Sequence, residues 1–254
     1  MENLCADSGF KSTTDGYFAT RRSIRKYADK EVDTSLIEEI LSLAAKAPTC
    51  GNMQLYSVVV TRDSQRKKEL AALHFNQPAT GAPVLLTICA DFARFTRWCR
   101  LRDADAAYDN FLSFTSAFAD AMILAQQITT LAELRGLGTC YLGTVIYNAP
   151  ETARLLKLPR MVMPVACLSV GYPAEEGVET ERLPLRAWVH DEEYRADSDE
   201  EILDLYKTKE EYPANLGYPA ENGKANLAQV FAEVRYPRAM NEEFSRKLLE
   251  WLDF

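Results

Sequence analysis

The stretch from Asp105 to Arg135 limits the possible folds of this chain more than any other. Phe111, Phe114, Phe118, Met122, Ala125, Thr129 and Ala132 recur every three or four residues, the period of one helix face. Leu112, Ile123 and Leu124 place further apolar groups outside that stripe. The predicted helix is therefore apolar around most of its circumference and must be covered on several sides. A sheet of the same chain or the face of a second copy would serve, and periodicity does not choose between them. Gly136 ends the helix.

Strands to cover it are present. Val58-Val59-Val60-Thr61 is a β-branched run, and Val84 to Ala90, Gly138 to Thr144 and Val162 to Val170 are further candidates. Other helices are expected from Asp33 to Ala47, Ser64 to about His74, Phe92 to Arg100, Asn148 to Leu156, Ser198 to about Tyr206, and Asn241 to Leu252. Asp33 can cap the first, Ser35 and Glu38 have capping-box spacing, and Pro48 stops it. Ser198 and Glu201 match a second capping box. Strands and helices mix without regular alternation, which favours an α+β fold over a doubly wound one. Residues 1–16 are polar and mixed and read as a loosely held tail. Residues 17–254 read as one domain, with a helical excursion from about residue 190.

Composition removes several function classes. A formal net charge of -8 disfavours a duplex-binding surface. The longest apolar run, Met161 to Val170, is too short to cross a bilayer and contains Pro164. The first five residues lack the basic flank and apolar core of a secretory signal. The six cysteines include no CxxC pair, and several lie in apolar stretches, which suits reduced thiols in a cytoplasmic protein. Only His74 and His190 are present, so a histidine-rich metal site is not expected. HExxH, Walker A, GxSxG and GxGxxG patterns are absent.

Against this acidic background stands Arg21-Arg22-Ser23-Ile24-Arg25. If helical, it puts Arg21 and Arg25 on one face. Guanidinium forks match phosphate oxygens and stay charged. Downstream lie a loop with Thr49, Cys50, Asn52 and Gln54, then Gln77, the glycine turn of Tyr141-Leu142-Gly143-Thr144, and Arg182. Each has a plain alternative. The arginines could form a solvated helix face, Asn52 and Gln54 ordinary loop polarity, and Gly143 a turn. Arg182 could pair with Glu179 or Glu181, and Cys50 reads as a small packed residue rather than a redox thiol. Only the ordered set is specific.

That set resembles the nitroreductase family of FMN-dependent oxidoreductases. The residues carrying the resemblance are Arg21 to Tyr27, Ala47 to Gln54, Gly136 to Gly143, Val170-Gly171-Tyr172-Pro173 and Arg182-Leu183-Pro184. The match looks closest to NADPH-dependent nitroreductases and flavin reductases with a C-terminal helical excursion. It implies a three-layer fold with a central, mostly antiparallel sheet flanked by helices, in an intertwined homodimer with FMN at the subunit boundary. Arg21, Arg22, Ser23, Arg25 and Arg182 would hold the FMN phosphate and ribityl chain. Thr49, Cys50, Asn52, Gln54 and Gln77 would lie near the ring edge, and Tyr141, Leu142, Gly143 and Thr144 would pass beside it. A side chain at Gly143 would crowd the flavin.

The implied activity is ping-pong transfer of hydride from NADH or NADPH through FMN to a nitroaromatic, quinone or flavin acceptor. The chemistry would reside at the flavin, with no catalytic side chain and no metal. A non-enzymatic flavin-binding protein, or another flavin chemistry such as reductive dehalogenation, are the rival readings. Two departures from the family pattern stand out. Thr180 replaces a lysine that relatives place two residues before the later arginine. The segment Tyr212 to Leu227, arginine-rich in relatives that prefer NADPH, holds one basic residue, Lys224.

Overall fold

The computed structural model describes residues 8–252. Four strands, β1 (Tyr56–Thr61), β2 (Val84–Asp91), β3 (Gly138–Leu142) and β4 (Val162–Gly171), form one sheet in the order β1-β2-β4-β3. Every pairing is antiparallel. The two central strands are buried along their whole length, which explains their near-continuous apolar sequences. Pro164 has no N–H for the ladder, and the β2–β4 pairing slips there: Ile88 faces Ala166 while Cys89 faces Pro164.

Alternate residues of the sheet feed two cores. Val84, Leu86, Ile88, Leu168 and Val170 pack with α2 (Thr34–Ala44) and α5 (Phe111–Glu133). Leu85, Cys167, Cys140 and Leu142 pack on the other face with Leu70 of α3 (Ser64–Leu73). The result is the helix–sheet–helix layering of an α+β domain. α5 lies against the sheet through a row of small residues, Ala117, Ala121, Ala125 and Ala132, all fully buried. Asn148 stands before α6 (Ala149–Leu156), but its side chain makes no cap bond; its Nδ2 donates to Leu73 O (2.6 Å) at the end of α3. The remaining helix of this region, α4 (Ala93–Arg100), follows β2.

The chain divides into two compact units. One holds the residues up to Val178 and those from Arg246 onward; the other is Glu179–Ser245. The second contains α7 (Asp199–Glu210), α8 (Tyr218–Glu221) and α9 (Leu227–Gln229), which continues into a π-helical turn, Val230–Arg235. α10 (Arg238–Leu252) returns the chain to the first unit. Among the described residues no helix is long and apolar enough to cross a membrane.

Several local expectations are corrected. α1 (Ser8–Thr20) occupies much of the expected tail. Its sequence has no apolar stripe; it is tied down by a tertiary bond, Tyr17 OH donating to Glu133 Oε2 (2.7 Å). α5 starts at Phe111 rather than Asp105 because Asn110 Oδ1 accepts from Ser113 N (3.1 Å) and caps it there. Ser35 lies inside α2 and forms no capping box, and Asp33 sits at the N-cap without a side-chain bond. The Ser198–Glu201 box does form, but α7 runs past Tyr206 to Glu210. The proline- and glycine-bearing stretch from Tyr212 to Lys224 includes α8.

Candidate functional site

α1 stops at Thr20, so the arginine cluster has no helical face for Arg21 and Arg25 to share. The backbone bonds of this segment go elsewhere: Ile24 N donates to Thr139 O (2.9 Å) of β3 and Ala28 N to Tyr172 O (2.9 Å) after β4. Ile24 is buried against Gly138, and the segment therefore runs along the edge of β3. Arg21 Nη2 donates to Glu133 Oε1 (2.9 Å), which also accepts from Thr139 Oγ1 (2.5 Å). Arg21 Nε is buried and has no hydrogen-bond partner among the described residues. Burial, followed by the bond to Glu133, pushes the Tyr17 phenol up to about 12.

Arg25 is exposed, and the backbone beneath it is clamped. Glu175 Oε1 accepts from Arg25 N (2.6 Å) and Lys26 N (3.1 Å). These bonds, the Arg25 one foremost, hold the Glu175 carboxyl below the usual carboxylate range.

The second constellation is the turn from Thr49 to Gln54. Gly51, Asn52 and Gln54 all have left-handed backbone (φ 53°, 56° and 54°). Two of the three carry side chains that disfavour this region, and such strain gathers at binding sites. Cys50 is exposed, not packed. The turn is held from below by Asp120 of α5, whose carboxylate accepts from Cys50 N (2.7 Å) and Leu55 N (3.1 Å). Arg94 Nη2 donates to the carbonyls of Gln54 and Tyr56, each at 2.9 Å.

The third constellation joins Gln77 and Thr144, distant in sequence. Gln77 Nε2 donates to Thr144 Oγ1 (3.0 Å) and to His74 O (3.1 Å), and Thr144 Oγ1 also pairs with His74 Nδ1 (2.8 Å). His74 is fully buried, and burial lowers its pKa to about 4, so the ring is neutral. Beside it, β3 ends at Leu142, and a Cβ built on Gly143 would meet nothing within 4 Å. Tyr141 is half-buried, and burial raises its phenol to about 12. Thr139 to Gly143 spans about 13 Å of strand, so the arginine segment and the open ground at Gly143 mark the two ends of β3.

Arg182 belongs to the second unit. Its Nη1 donates to Thr180 Oγ1 (2.5 Å), Thr180 O (3.1 Å) and Glu181 O (2.9 Å). It forms no ion pair with the Glu181 carboxylate, which Lys209 takes instead. Thr180 thus orients the guanidinium.

Within the first unit, one chain holds the arginine segment and the Thr49–Gln54 turn apart. The Arg21 segment is fastened to α5 at Glu133 and the Thr49–Gln54 turn at Asp120, about 20 Å apart along the helix axis. The sequence reading missed Asp120, Glu133, Glu175 and His74. Asp120 and Glu133 are the two charged residues of an otherwise uncharged helix, which was the available signal.

Residues 18–172 match the nitroreductase family. The chain belongs to the nitroreductase family. Among its relatives in that family, it is 33% identical to the FMN reductase [NAD(P)H] of Bacillus subtilis over 89% of this chain and 92% of that one. It is 30% identical to a Cr(VI) reductase of Pseudomonas sp., covering 90% and 96%. A crystal structure from Bacteroides fragilis superposes with TM-score 0.90 at 45% identity, covering 93% of this nitroreductase-family chain and 97% of the other.

The residues present fit FMN. A buried guanidinium nitrogen of Arg21 lacks a partner, as an anion site would leave it. Exposed Arg25 adds a second positive charge on the same segment. Gly143 is exposed, and a Cβ built on it would meet nothing within 4 Å beyond its chain neighbours.

Proposed function

We propose that this protein is an FMN-dependent oxidoreductase that takes hydride from NADH or NADPH and delivers electrons to a small acceptor such as a nitroaromatic, a quinone or free flavin. The observation that carries this reading is the arginine segment bound along β3, whose other end opens at Gly143. When bound, FMN accepts hydride from the nicotinamide and passes electrons on, so donor and acceptor use one pocket in turn.

The chain's own part is binding and electrostatics. Arg21, Arg22, Ser23 and Arg25 hold the phosphate and ribityl chain, and Arg182 supplies a further cation. Positive charge also makes the reduced, anionic form of the cofactor less costly. Thr49, Cys50, Asn52 and Gln54 offer backbone and amide groups to the ring edge. Gln77 and Thr144 are pre-oriented by their bonds to each other and to His74. Tyr141, Leu142 and Gly143 form the wall beside the ring.

The working form is a homodimer with the cofactor at the subunit boundary. The outward row of α5, Leu112, Thr115, Ala119, Ile123 and Gln126, with Leu134 just beyond its end, carries no charge. Leu112 is 75% and Leu134 58% exposed, a costly arrangement for a lone chain. The separation of the two half-sites along α5 also supports assembly of one pocket from two chains. The described cysteines are free, which suits a protein of the reducing cytoplasm.

The direct test is a visible spectrum of the purified protein, followed by anaerobic addition of NADH and NADPH in turn. A flavin band that at least one donor bleaches is expected. A colourless protein that stays empty when given FMN overturns the reading, and bound flavin that neither donor reduces replaces it with a non-enzymatic flavin carrier. In the double variant Arg25→Ala/Arg182→Ala, cofactor should be released; retained stoichiometric flavin would reject the phosphate assignment.

A further inference from the structure

The turn from Cys50 to Gln54 needs an external hold. Gly51 adopts its left-handed backbone freely, but Asn52 and Gln54 hold theirs against the preference of residues with side chains. Its internal bonds are few: Met53 N to Cys50 O (3.0 Å), Asn52 N to Thr49 O (3.3 Å), and a long contact of Gln54 Nε2 with Asn52 (3.4 Å). Such a turn would relax unless its ends were fixed.

Asp120 fixes both ends at once. It is 2% exposed on α5, and its two carboxylate oxygens accept from the N–H groups of Cys50 (2.7 Å) and Leu55 (3.1 Å). No cation pairs with this carboxylate among the described residues. A buried carboxyl group bonded to two backbone donors is costly to place in a core, so its presence on the buried face of α5 calls for a reason beyond packing.

We propose that Asp120 is a positioning residue for electron transfer: by pinning Cys50 and Leu55 it holds the Asn52 and Gln54 amides toward the flavin ring edge and so favours the reduced cofactor. This rests on the assignment of that turn to the ring edge. The Asp120 carboxylate bonds to the backbone of Cys50 and Leu55 and acts on the ring edge through them. Amide donors fixed in place stabilise the charge of reduced flavin without reorganising, and a slack turn would lose that advantage.

The test uses the full-length protein and three variants: Asp120→Asn, Asn52→Ala/Gln54→Ala, and all three changes together. Asparagine keeps one acceptor and turns an N–H toward the other backbone donor. In the wild type, amide hydrogens of Cys50 and Leu55 should exchange slowly, and Asp120→Asn should make them fast. Fast exchange of both in the wild type overturns the clamp, whether or not the variant folds. The ratio of FMN affinities, reduced over oxidised, should fall about tenfold in Asp120→Asn, by a similar factor in the double variant, and no further in the triple. A lower melting temperature with an unchanged ratio in Asp120→Asn overturns the positioning role and leaves the ring-edge assignment standing. An unchanged ratio in Asn52→Ala/Gln54→Ala rejects the ring-edge assignment, and the proposal falls with it.

Discussion

Gly138 and Ile24 meet so closely that no side chain fits between them: a Cβ built on Gly138 would lie 2.7 Å from the Ile24 Cβ. This approach lets Ile24 N reach Thr139 O and sets the arginines on the edge of β3. Gly138→Ala should push the segment outward, costing about 1–3 kcal/mol as an overpacked contact. FMN affinity should fall with it. Denaturant unfolding and an FMN titration read the two effects, and a variant with native stability and affinity would refute this role for the glycine.

Gly143 is the opposite case. A Cβ there meets no protein atom within 4 Å, so Gly143→Val should fold with an unchanged melting temperature. The proposed flavin lies over this position. The variant should therefore bind FMN at least tenfold more weakly, measured by quenching of flavin fluorescence. Native affinity would move the ring elsewhere.

Glu133 gathers Tyr17, Arg21 and Thr139. Glu133→Ala leaves a half-buried guanidinium without its partner, and a loss of about 2 kcal/mol is expected. Because Tyr17 also loses its bond, α1 should become the first site of limited proteolysis. Cleavage no faster than in the wild type would show that α1 is held by other contacts.

His74 links acidity to stability. Its folded pKa, about 4, lies below the ordinary 6.5. Below pH 6.5 the unfolded chain takes up a proton that the folded chain refuses. The stability this neutral ring supplies is complete above pH 6.5 and is lost as the pH falls toward 4, by up to about 3 kcal/mol. Unfolding free energy measured at steps from pH 7 to 4.5 should drop less steeply in His74→Gln than in the wild type. Parallel curves would assign the acid sensitivity to other groups.

Lys224, the lone basic residue between Tyr212 and Leu227, is already paired with Glu233 (2.6 Å). That segment offers no free cation to a 2′-phosphate. The ratio of kcat/KM for NADPH over NADH should therefore stay below about ten, since one unpaired phosphate contact forgone is worth at least a comparable factor. A ratio of a hundred or more would mean that arginines elsewhere recognise the phosphate.

Much of the candidate site could be read from the chain because its parts are local. The arginine run, the Thr49–Gln54 loop and the glycine turn after β3 are contiguous stretches, and their order is a linear property. What holds them is not local. Asp120 is 70 positions from Cys50, and Glu133 is 112 from Arg21. No periodicity or spacing rule connects such pairs.

The amino-acid order by itself determined the apolar α5, the four β-rich runs, the capped α7 and the family. Each depends on neighbours within a few residues, where side-chain sterics and hydrophobic period act. Only tertiary structure decided that Arg21–Arg25 is not helical and that α1 is a helix at all. In each case a backbone group or charge was satisfied by a partner the local sequence does not name, and satisfying buried polar groups outweighs local propensity.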